Sequence, residues 1–69
     1  MVRTDKIRGL LAEKGLKQKD MAERLGIAPK TFREKMQKGV FGSDEIEIMI
    51  DVLGIEDPAA IFFAKEVTP

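Results

Sequence analysis

The chain has no cysteine, histidine, tryptophan or tyrosine. Without cysteine there are no disulfide staples, and without cysteine or histidine the usual zinc ligand sets are missing. The lack of disulfides fits a reducing cytoplasm. No long apolar run is present: stretches such as Ala59 to Ala64 are far too short to span a bilayer. The opening Met1-Val2-Arg3-Thr4-Asp5 does not lead into the apolar region of a signal peptide. A glycine-rich phosphate loop is also missing. Asp44, Glu45 and Glu47 read as capping and solvated-face residues rather than a catalytic pair. The composition therefore argues against an enzyme, a metal site, a cofactor, a small-molecule ligand and a membrane partner.

What remains is 69 residues, 43% apolar and 35% charged, which is the balance of a globular domain. A domain of this size buries only about 60% of the surface that its unfolded chain exposes. Short helices around one economical core suit that constraint. The net charge is zero, but it is unevenly spread. Residues 1–16 carry +2, residues 17–38 carry +4 and residues 39–69 carry −6. Such asymmetry between segments fits a nucleic-acid face.

Punctuation divides the chain into five helical segments, giving an all-α fold. Thr4 is placed to cap the first, which runs to about Lys14 with Ile7, Leu10 and Leu11 inward and Gly15 as its stop. The second runs from about Lys17 to Leu25, burying Met21, Ala22 and Leu25, and Gly26 stops it. The third opens at Pro29, a residue tolerated where the backbone N–H has no helical partner, and turns Phe32 and Met36 inward. Gly39 and Gly42 bracket a loop around Val40 and Phe41. Ser43 is the expected cap of the fourth helix, with Asp44 and Glu45 set against its dipole and Ile46, Met49, Ile50 and Leu53 inward. Asp57-Pro58 starts a short fifth helix containing Ile61 and Phe62. The domain is expected over residues 1–65, with 66–69 as a frayed tail and no appended ligand or cleavage domain.

The second and third segments are joined by a very short turn. Ala22 is small enough to let two helix backbones approach, and Gly26 supplies positive φ at low cost. Met21, Leu25, Ile27 and Phe32 then hold the angle from beneath. A third helix held at that angle protrudes far enough to enter a major groove, which is roughly 12 Å wide.

The run from Leu16 to Phe32, with Gln18, Ala22, Gly26, Ile27 and Phe32 at the family's spacing, resembles the helix-turn-helix of the lambdoid phage repressor and Cro family. These are also called the xenobiotic-response-element family of bacterial regulators. The resemblance extends over nearly the whole chain. The Ile61-Phe62-Phe63 closing segment looks like that of phage- or prophage-encoded members from Gram-positive bacteria. It implies a five-helix, lambda-repressor-like DNA-binding domain acting in the cytoplasm, at the bacterial nucleoid, on a two-fold symmetric double-stranded operator. It also implies base readout by Pro29, Lys30, Arg33 and Glu34, and phosphate contacts from Lys17, Gln18, Lys19, Thr31, Gln37 and Lys38. Lys30 would donate to guanine acceptors, and Thr31 would reach a phosphate or a thymine methyl. A homodimer through the C-terminal helix is the implied assembly. It would use whichever of Phe62 and Phe63 is left exposed, together with Phe41 or Val40.

Two positions depart from the family pattern. Many members carry polar residues where this chain has Ala28 and Pro29, so readout shifts to Lys30, Arg33 and Glu34 or to DNA shape. Many also carry a large apolar residue where this chain has Lys35, and Met36 is expected to take that packing role. Two plainer readings stand beside the DNA reading. Lys17, Lys19, Lys30, Arg33, Lys35 and Lys38 can be a solvated helix surface. The same fold can also serve as a protein-interaction module, an antitoxin or anti-repressor, whose acidic residues 39–69 meet a basic partner.

Overall fold

Helix starts and stops set the architecture seen in the computed structural model, which describes residues 2–63. Five helices follow in order: α1 (Thr4–Glu13), α2 (Gln18–Leu25), α3 (Pro29–Lys38), α4 (Ser43–Leu53) and α5 (Pro58–Phe62). There is no strand among the described residues, so the fold is all-α. The expected domain limit at residue 65 and the tail at 66–69 lie outside the described residues.

Two expected caps are displaced by one residue. Thr4 and Ser43 are the first residues of α1 and α4, and Arg3 and Gly42 hold the cap positions without a side-chain cap bond. Asp57 does sit at the cap position of α5, yet its side chain makes no cap bond. The acceptors for α2 and α4 come from inside the first turn instead. The Lys17 N–H donates to Asp20 Oδ2 at 2.8 Å, and the Gly42 N–H donates to Glu45 Oε1 at 2.8 Å. A carboxylate three residues into the helix thus reaches back to the backbone donor at its start, which is half of a capping box.

The turn between α2 and α3 is built as its sequence suggests. Gly26 has φ 73° and ψ 28°, a left-handed conformation that costs a residue with Cβ about 1–2 kcal/mol. Beyond it the Ile27 N–H donates to the Ala22 carbonyl at 3.0 Å, the long bond of a Schellman stop. The N–H groups of Leu16, Val40 and Ile55 make the same five-back bond to Leu11, Lys35 and Ile50. One stop therefore ends four successive helices, and an apolar residue follows each.

The core lies beneath α2 and α3. Ile7, Met21, Ala22, Phe32 and Met49 are fully buried, with Leu11, Met36, Phe41, Leu53, Ile55, Ile61 and Phe62 around them. Leu10, Leu25, Ile46 and Ile50, expected inside, are half-buried and pack on the edge of this cluster. Helix α2 packs on both α3 and α4, while α5 returns against α1. The Arg3 N–H donates to the Ile61 carbonyl at 2.6 Å, tying the start of the chain to α5. Of the paired phenylalanines, Phe62 is buried and Phe63 is 63% exposed. Phe41 packs inward, leaving Val40 exposed in the preceding turn.

Candidate nucleic-acid interface

Helix α3 has two faces because its apolar and polar residues recur at helical spacing. Phe32 and Met36 point into the core. Lys30, Arg33, Glu34, Gln37 and Lys38 are all exposed, with Glu34 most nearly opposite the buried pair. The Ala28-Pro29 start is exposed as well. Thr31, expected on the open face, is half-buried. Of the α2 residues predicted to reach phosphate, Lys19 is exposed and Gln18 half-buried, while Lys17 precedes the helix and is exposed.

The cations on this unit differ in their surroundings. Lys17, Lys19, Lys30, Arg33 and Lys38 make no ion pair among the described residues. Lys35 does: its Nζ lies 2.9 Å from Glu45 Oε1, and the two side chains are 32% and 14% exposed. Lys35 thus leaves the group of free surface charges. Its position keeps the packing character of a half-buried site, although Met36 is the residue that enters the core. Glu45 is correspondingly more than a solvated-face residue. Asp44 and Glu47, its neighbours, are exposed as expected.

The Lys35–Glu45 pair escaped the sequence reading. Two signals pointed to it: an acidic residue at the third position of a helix, and a lysine where a large apolar residue was expected. Their separation across a loop hid the contact. Burial of the Glu45 carboxyl acts to raise its pKa. The Gly42 N–H, the hydrogen bond from Lys35 and the Lys35 charge outweigh that and hold it below 4.5. A carboxylate held low in the folded state contributes stability that is complete above its unfolded pKa and is lost as pH falls through the folded value. Wild-type protein is therefore expected to lose stability below about pH 4.5 more steeply than Glu45→Gln, as read by urea unfolding at a series of pH values. Asp5, held low chiefly by its hydrogen bond from Arg3, contributes equally to both proteins. The difference between the two curves isolates Glu45. Parallel curves down to pH 3 would show that the pair carries no such linkage.

Between α2 and the start of α3 runs an open groove lined by Lys19, Asp20, Glu23, Ile27 and Pro29. It is shallow and of mixed charge, unlike the concave apolar pockets that hold small ligands. Among the described residues, no three acidic side chains converge as a metal-binding group, and no helix is long and apolar enough to cross a membrane. Comparison with protein-family models, curated proteins and solved structures returns no match.

Proposed function

We propose that the chain is a sequence-specific DNA-binding regulator of the repressor or Cro type, phage or prophage encoded, with α3 entering the major groove. The observation that carries this reading is the α2–Gly26–α3 unit, which together with Lys17 just before it presents six exposed cations, Lys17, Lys19, Arg24, Lys30, Arg33 and Lys38, without ion-pair partners among the described residues. Lys30, Arg33 and Glu34 on the open face of α3 read base edges. Lys17, Lys19 and Lys38 neutralise phosphates, with Gln18 and Gln37 as neutral anchors. Thr31, half-buried, is left to a phosphate contact at the groove edge. The segregated charge supports the same orientation: a basic side approaches the duplex and the acidic α4–α5 half faces away. Regulation is by occupancy: a dimer on a two-fold operator, inside the cytoplasm, blocks polymerase. Phe63 is the exposed aromatic that such a dimer would cover.

The test is selection of bound duplexes from a random-sequence library by the purified protein. The expected result is an enriched motif whose affinity falls with salt. Three phosphate-neutralising cations per protomer would give a log–log slope of about −2.7 per half-site. A library that stays unenriched at low salt overturns the reading and leaves the protein-interaction module in its place.

A further inference from the structure

The connection between α3 and α4 is closed on itself by two residues. The Lys35 carbonyl accepts the Gly39 N–H at 2.8 Å and the Val40 N–H at 3.2 Å, which fixes the departing turn. Glu45 Oε1 accepts the Gly42 N–H at 2.8 Å, which fixes the arriving one. The same Oε1 accepts from Lys35 Nζ at 2.9 Å, joining the two ends. Between them, Phe41 packs its ring on Phe32, with centroids 5.8 Å apart. A half-buried ion pair thus spans the loop above an aromatic contact below it.

From this geometry we infer that Lys35 and Glu45 are positioning residues for DNA recognition: their clasp sets how the C-terminal half of α3 is presented, and so sets sequence discrimination. The inference rests on the DNA-binding reading for its functional half. Its structural half, that the clasp holds α3, stands without it. Arg33, Glu34, Gln37 and Lys38 lie on the same two turns as Lys35, and all four are exposed. Recognition side chains must be held to within about 0.5 Å by supporting contacts. The core holds the underside of α3 through Phe32 and Met36. The rotation of its last turns is constrained from the flank, where Lys35 meets α4.

Three variants test this. Lys35→Met keeps the aliphatic stem and loses the pair, Glu45→Gln keeps an acceptor for the Gly42 N–H and loses the charge, and Lys35→Arg keeps the pair. The main readout is the ratio of affinities for the selected duplex and a scrambled duplex, at a temperature where circular dichroism shows every variant folded. The clasp predicts that this ratio falls about three- to tenfold in Lys35→Met and Glu45→Gln and is retained in Lys35→Arg. A merely stabilising pair leaves the ratio unchanged in folded protein, and a phosphate-contacting Lys35 lowers both affinities equally. Either result overturns the inference.

Amide hydrogen exchange at residues 30–38 of the free protein separates this inference from the DNA reading. Faster exchange in Lys35→Met but not in Lys35→Arg supports the clasp even if wild type selects no duplex. Unchanged exchange in both removes it.

Discussion

Phe32→Ala is expected to leave the domain largely unfolded at physiological temperature. The Phe32 side chain has no exposed surface, and its ring meets that of Phe41 at 5.8 Å and 50°. Phenylalanine-to-alanine changes at such sites cost about 3–5 kcal/mol through lost transfer energy and the cavity left behind. At about 0.05–0.15 kcal/mol per residue, a domain of this length has roughly 3–10 kcal/mol in total. One side chain therefore accounts for between a third and all of the stability. The melting temperature should drop by at least about 12 °C, measured by thermal unfolding followed at 222 nm. Phe32→Leu restores most of the volume and should recover all but the aromatic contribution, about 0.5–1.5 kcal/mol. Melting of Phe32→Ala within a few degrees of wild type would mean that the core collapses around the gap. It would also mean that α3 is held from elsewhere.

Much of this arrangement was legible because separate signals agreed. Gly26 and Pro29 marked the two sides of the α2–α3 turn, and the spacing of Phe32 and Met36 then fixed which face of α3 is open. The stretch Ile46 to Leu53 reads as a helix from the spacing of Ile46, Met49, Ile50 and Leu53, although every second residue from Ile46 to Val52 is β-branched. It folds as α4 because Met49 and Leu53, four apart, fill the core, while Ile46, Ile48, Ile50 and Val52 share its edge. The Glu45 carboxylate also secures the first turn. Caps were harder to place. Thr4 and Ser43 have the right chemistry, but each lies one residue inside its helix, and Arg3 and Gly42 hold the cap positions. Thr31, polar and expected on the open face, is half-buried, which the spacing within α3 does not signal. The Lys35–Glu45 pair depends on how a loop folds back, which no local pattern encodes.

Among the DNA predictions the largest effect belongs to Lys30 and Arg33. Both are exposed on the open face of α3, one turn apart, and Ala28 and Pro29 before them offer no side-chain hydrogen bond. Base discrimination in the first turns of the helix therefore falls on these two cations, with Glu34 able to accept from a cytosine amine. Lys30→Ala or Arg33→Ala should each weaken the selected duplex by about 5- to 150-fold, corresponding to about 1–3 kcal/mol. Repeating the library selection with each variant should show preference lost at one base position while the rest of the motif survives. Lys17→Ala is the control. Lys17 precedes α2 and is exposed without an ion-pair partner among the described residues, so its loss should weaken all duplexes about equally and reduce the salt slope by about 1. The two kinds of cation are thus separated by what changes, not by how much. If Lys30→Ala and Arg33→Ala both lower affinity uniformly with the motif intact, α3 touches only the backbone. Specificity would then come from the duplex's deformability, a reading in which the apolar start of α3 matters more than its charges.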